Sequence, residues 1–353
     1  MTTHGDDARK YKNIIDFASN SNPLGVSKNA KSAIKNNLNK ISLYPDTNAT
    51  ELRGELAEYN NINSQNIIAG NGSSEIIRMF CEVFLNKNNG ESVLIIDPTF
   101  SEYEKTASLF SGRIESITLN SDNNFKYDAK VVFDKINKSN NGIKIIFLCS
   151  PNNPTGQSIP GAGVLKLADE NPKTYIFLDE AFIEFTTDNS LATEVENYKN
   201  LFVLRSMTKF FALAGLRIGY GVGNTSLIKK LNSAKPPWNV NSLAQIAGIE
   251  SLRDKNHIKN SYALLKTEKQ NLFKKLSGIR GLKVYRSDAN FFLINIEKTG
   301  MKSREMKKRL VEKGILIRDC SNFNGLDDYY VRVCVRTKEE NEKLVNELSQ
   351  FKI

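Results

Sequence analysis

Short apolar runs alternate with longer amphipathic stretches through the middle of this chain. The runs Val93–Asp97, Ile114–Thr118, Ile143–Cys149, Thr174–Asp179, Leu201–Arg205 and Arg217–Gly221 predict strands. Several are almost continuously apolar, as strands buried on both faces of a sheet are. Helical patterns lie between them, such as Ser74–Leu85, where Ile76, Ile77, Phe80 and Phe84 share one stripe. This alternation predicts an α/β fold whose mostly parallel sheet is covered by helices.

From about Asn241 the pattern changes. A long helical stretch over Asn241–Leu276 precedes short strand patterns at Leu282–Tyr285, Asn290–Ile296 and Tyr330–Val335, with helices between. The last helix opens with a T-K-E-E capping box at Thr337–Glu340, which satisfies two otherwise orphan backbone donors. A chain of 353 residues exceeds the ~250–300 that one core organises. The expected organisation is an N-terminal segment over 1–40, a large domain over 41–240 and a smaller α+β domain over 241–353.

Composition narrows the function classes. The 40% hydrophobic content is that of a globular chain. No run approaches the ~18 apolar residues of a membrane span. The polar start MTTHGDDARKYKN has no apolar secretory core, so a cytoplasmic protein is expected. Four scattered cysteines and two histidines predict no metal site. The net charge of +10 comes from lysines spread among asparagines, without a nucleic-acid-binding motif. It reads as a solvated surface whose field favours an anionic small substrate.

Four segments place chemistry where strands end, which is where parallel sheets bind ligands. Ala69-Gly-Asn-Gly-Ser-Ser-Glu75 enters a helix, and Gly72, Ser73 and Ser74 suit either a plain turn or a phosphate at the helix start. Pro151-Asn-Asn-Pro-Thr-Gly156 is a turn that also fixes amide side chains, Asn153 among them. Asp179 closes an apolar strand, as a helix cap or as an acid that keeps a ring nitrogen protonated. Arg205-Ser-Met-Thr-Lys209, then Ala214-Gly-Leu-Arg217, puts Ser206, Lys209 and Arg217 near one another in sequence. Beside Phe210, Phe211 and Leu213, a lysine has its charged form disfavoured and becomes a competent Schiff-base amine.

The set GNGSSE, PNNPTG, DEAF and SMTKFFALAGLR resembles fold-type-I pyridoxal-phosphate enzymes of the histidinol-phosphate aminotransferase branch, over nearly the whole chain. The resemblance implies a cofactor of pyridoxal 5'-phosphate carried by Lys209, with Asp179 at its ring nitrogen and Asn153 at its ring hydroxyl. It implies phosphate contacts from Gly72, Ser73, Ser74, Ser206 and Arg217, and stacking on the ring by Tyr103 of PTFSEY. Tyr44 of LYPD would reach the phosphate in a neighbouring copy, which implies a homodimer.

Within that branch, four further segments resemble the threonine-phosphate decarboxylases of cobalamin biosynthesis. They are Thr3-His4-Gly5, Ile15-Asp-Phe-Ala-Ser-Asn-Ser-Asn-Pro-Leu-Gly25, Pro237-Trp-Asn-Val-Asn241, and Ile317–Leu326 with Tyr330-Val-Arg332. That resemblance implies substrate contacts from His4, Gly5, Asn20, Asn153, Arg318 and Arg332. Phe182 stands where the aminotransferases usually carry a tyrosine, a departure that the decarboxylase pattern tolerates. The expected activity is decarboxylation of L-threonine O-3-phosphate to an aminopropanol phosphate, with histidinol-phosphate transamination as the alternative.

Overall fold

The structure, a computed structural model, describes residues 8–111, 113–139 and 142–351. Its strands in chain order are β1 (Ile15–Asp16), β2 (Ile67–Gly70), β3 (Ser92–Asp97), β4 (Arg113–Thr118), β5 (Ile143–Cys149), β6 (Tyr175–Asp179) and β7 (Leu201–Ser206). They continue with β8 (Gly219–Gly223), β9 (Lys283–Val284), β10 (Phe291–Asn295), β11 (Ile315–Leu316), β12 (Arg318–Asp319) and β13 (Tyr330–Cys334).

A seven-stranded sheet runs β2-β8-β7-β6-β5-β3-β4. All pairs from β7 to β4 are parallel, while β8 lies antiparallel to both β7 and β2. The two buried faces explain the unbroken apolar runs: every residue of β3 and of β7 is buried. The helix Ser73–Phe84 lays its apolar stripe on one face, with Phe80 centred 4.9 Å from both Phe177 and Phe202. Each such ring taken from water stabilises the fold by roughly 1.5–3 kcal/mol.

A four-stranded antiparallel sheet, β12-β13-β10-β9, forms the C-terminal part. The N-terminal segment joins it. β1 pairs parallel with β11, and the Cys334 amide donates to the Phe17 carbonyl at 2.9 Å. The helix Ser242–Arg253, beyond the expected boundary at 240, packs on the helices Lys28–Asn36 and Thr50–Asn60.

Besides the two-residue strands β1, β11 and β12, which the pattern did not predict, three elements differ from the sequence expectation. The strand expected at Arg217–Gly221 is displaced to Gly219–Gly223, because Arg217 adopts a left-handed conformation with φ of 54°. The helix expected over Asn241–Leu276 breaks at Asp254, whose side chain caps a second helix by accepting from the His257 amide at 3.0 Å. The short strand β2 was hidden by its length and by the glycines at its end, Gly70 within it and Gly72 after it. The capping box of the last helix forms as expected, between Thr337 and Glu340. Among the described residues no helix is long and apolar enough to cross a membrane.

Candidate active site

Alternation along two neighbouring strands sorts their last residues onto opposite faces. At the end of β7, Arg205 turns to one face and donates to Glu184 at 2.5 Å, with Glu180 of the adjoining loop at 3.7 Å. Ser206, the next residue, pairs across the sheet with Gly219, which pairs in turn with Gly70. A glycine fits closely there: a Cβ on Gly219 would stand 3.0 Å from the Ser73 nitrogen, tighter than ordinary packing. This register brings Ser206 beside the entry to the helix Ser73–Phe84.

That entry is built to face an anion. Gly72, with φ of 80°, is its cap residue, and no side chain caps the helix. A Cβ on Gly72 would come 2.5 Å from Nη2 of Arg217, so the guanidinium closes directly over the backbone. Helix-terminal N–H groups, a positive dipole end and an arginine together have the chemistry that suits a phosphate. Gly72 is buried, Ser73 half-buried, and Ser74 and Arg217 exposed.

Asp179 ends β6 and is buried, with a donor on each oxygen. The Ala181 amide donates to Oδ1 at 2.8 Å and the Tyr103 hydroxyl to Oδ2 at 2.6 Å. Burial pushes the carboxyl above its ordinary range, and the two donors and the Lys209 charge pull it back. Lys209 follows β7 on a loop anchored by buried Phe210, Phe211 and Leu213. Its ammonium donates to the Ser19 carbonyl at 3.3 Å and lies 6.0 Å from the centre of the Phe182 ring. Burial, reinforced by the charges of Arg332 and Arg217, brings its pKa down to about 8. An amine so depressed is a nucleophile near neutral pH.

The N-terminal segment closes over this lysine. The Asn22 amide donates to the Lys209 carbonyl at 3.0 Å, and the Asn22 side chain holds Phe210 and Ser261. Asn20 is buried with φ of 54°, and its Oδ1 has no hydrogen-bond partner among the described residues. Arg332 donates through Nη1 to the Asn153 side chain and through Nη2 to the Ala18 carbonyl, at 2.7 Å for the latter. Arg318 is its direct neighbour across β12 and β13. It donates to Asn322 at 2.8 Å and covers the Phe323 ring. Both arginines are 5% exposed, and no described carboxylate lies within ion-pair distance of either. Two buried cations with no ion-pair partner among the described residues suit an anionic ligand.

One expected role does not fit its placement. Tyr103 offers no ring face for stacking, because it is fully buried with its ring against Phe147, centroids 5.0 Å apart. Phe100, half-buried and edge-on to Tyr103, is the other aromatic of that segment. Tyr44 stands 79% exposed, stacked on Trp238 at 4.4 Å. His4 and Gly5 lie outside the described residues. Sequence reasoning missed the Ala18 and Ser19 carbonyls, since a backbone acceptor leaves no side-chain signature. A cavity of about 1140 Å³ opens on the opposite side, by Glu180, Glu184 and Arg205, and is not lined by Lys209 or Asp179.

A depressed lysine amine, a buried strand-end acid, an uncapped helix entry under an arginine and a fixed amide together fit pyridoxal phosphate. The chain belongs to the family described as aminotransferase class I and II, whose model matches residues 12–348. It is therefore a pyridoxal-phosphate-dependent enzyme of the fold-type-I class. It is 34% identical to a histidinol-phosphate aminotransferase of Methanosphaera stadtmanae, over 96% of this chain and 91% of the relative. Its fold matches a histidinol-phosphate aminotransferase of Clostridium acetobutylicum with a TM-score of 0.86 at 33% identity, covering 95% and 98% of the two chains. An L-threonine-O-3-phosphate decarboxylase of Porphyromonas gingivalis matches with a TM-score of 0.83 at 28% identity, covering 96% and 99%.

Proposed function

We propose that this enzyme exchanges an amino group between a phosphorylated amine of the histidinol-phosphate type and a 2-oxo acid. The observation that carries the reading is the pair of adjacent buried arginines, Arg318 and Arg332, neither with a carboxylate partner among the described residues. One suits a substrate phosphate, the other the carboxylate of the amino or oxo acid. The curated relatives support transamination over the decarboxylation suggested by the terminal segments.

Pyridoxal phosphate, when bound, supplies an electron sink for the substrate carbon. Gly72, Ser73, Ser74, Ser206 and Arg217 hold its phosphate, and Tyr44 of a second copy completes that cradle in a homodimer. Asn153 donates to the ring hydroxyl, Asp179 holds the proton at the ring nitrogen, and Phe100 flanks the ring in place of Tyr103. Lys209 carries the cofactor and moves the proton at the substrate carbon. Arg332 orients the carboxylate, while Arg318 and Asn20 hold the phosphate end.

A second reading rests on Phe182. Its ring packs edge-on against Phe291, on which Arg332 also lies, and it places no hydroxyl near Lys209. Together with the likeness to the Porphyromonas gingivalis enzyme, it favours decarboxylation of L-threonine O-3-phosphate. Product analysis separates the two. Glutamate formed from histidinol phosphate and 2-oxoglutarate supports transamination. Continued release of carbon dioxide from O-phospho-L-threonine, with no oxo acid present, overturns it in favour of the decarboxylase.

A further inference from the structure

The Tyr103 hydroxyl has one strong partner in a fully buried setting, and that partner is Oδ2 of Asp179 at 2.6 Å. Its ring is locked rather than merely accommodated. It stacks on Phe147 at an interplanar angle of 9°, takes the edge of Phe100 at 5.6 Å, and Phe147 in turn leans on Phe177. The other oxygen of Asp179 accepts from the Ala181 amide. The carboxylate is thus gripped from both sides by neutral donors that cannot neutralise it.

The physical consequence concerns where a proton rests. In a dry site, a carboxylate facing a protonated ring nitrogen is unstable toward the neutral pair, with the proton moved from nitrogen to oxygen. Donors to the carboxylate oppose that move, because they stabilise only the ionised form. We infer that Tyr103 is a positioning residue that keeps Asp179 ionised, so that the proton stays on the ring nitrogen of bound pyridoxal phosphate. This rests on the assignment of Asp179 to that nitrogen. Burial and the Asp179 charge hold the Tyr103 phenol well above its ordinary range, so it remains a donor at every working pH.

The test uses the holoenzyme loaded with pyridoxal phosphate labelled with ¹⁵N in the ring, read by NMR across pH. The native protein is expected to show a protonated nitrogen, and Asp179→Asn an unprotonated one. If the native nitrogen is unprotonated, or Asp179→Asn leaves it protonated, the Asp179 assignment fails and the inference with it. Given that assignment, Tyr103→Phe is expected to shift the nitrogen toward the unprotonated form. It should also lower kcat about tenfold with KM within about twofold, the scale of one lost charge-assisted hydrogen bond. Phe147→Leu loosens the same ring but spares the hydroxyl, and is expected to keep the native ¹⁵N shift. An unchanged shift in Tyr103→Phe, or an equal change in Phe147→Leu, overturns the proposal.

Discussion

The guanidinium of Arg332, on the C-terminal sheet, donates to the side-chain oxygen of Asn153, on the loop that follows β5 of the large sheet. This bond joins the two halves of the molecule at the point where cofactor and substrate are proposed to meet. The same arginine holds the Ala18 carbonyl, so the N-terminal segment is tied to the join as well.

Arg332→Leu is expected to lower kcat/KM for a carboxylate-bearing substrate by about 30- to 150-fold, the worth of a charged hydrogen bond of ~2–3 kcal/mol. Steady-state kinetics on the purified holoenzyme measures it. Burial brings the Arg332 pKa down to about 10, so the cation is present at neutral pH and carboxylate binding should fade only as pH rises through about 10.

Capture of pyridoxal phosphate by the apoprotein should depend on Lys209. Its pKa is depressed to about 8, so the reactive free amine is the minor form below that pH and the major form above it. The capture rate, followed by absorbance in stopped flow, is expected to rise about tenfold per pH unit below 8 and to level off above it. Lys209→Ala should abolish the covalent absorbance band; full activity in that variant would remove Lys209 from the scheme.

Gly72→Ala places a methyl group against the Arg217 guanidinium at a residue with φ of 80°. The strain of the positive φ is expected to cost about 1 kcal/mol of stability. The larger effect should fall on the phosphate cradle, with cofactor Kd rising about tenfold or more as Arg217 is displaced. Equilibrium dialysis against pyridoxal phosphate and a thermal melt separate the two effects.

Leu38, Ile41, Leu43, Tyr44 and Trp238 expose large apolar surface in the same part of the structure, with Ile41 at 70% and Leu43 at 67%. Ile41→Asp is expected to shift sedimentation from dimer toward monomer and to weaken cofactor binding, since Tyr44 of the second copy would be lost. A monomeric native protein with full cofactor affinity would sink the shared-site arrangement.

Much of the fold was legible in the chain because burial on both faces demands continuous apolar runs, and Ile143–Cys149 forms the strand its pattern predicts. The break at Asp254 was less visible, since an acid inside a helical pattern reads equally as a surface residue until its cap bond is seen. The positions of Lys209, Asp179 and the glycines could be singled out from sequence because each sits beside a turn or strand end that local chemistry dictates.

What the chain alone determined is therefore local: the long buried strands such as β3 and β5, and which side chains carry reactive groups. Only the tertiary structure decided that Tyr103 grips Asp179 instead of offering a ring face, since side-chain direction depends on packing against Phe147. Only it brought Arg332 to Asn153, residues far apart in sequence, and set Arg332 beside Arg318 across β12 and β13. Such long-range pairings carry no periodic signature, because they are set by how the sheets and the N-terminal segment close on one another.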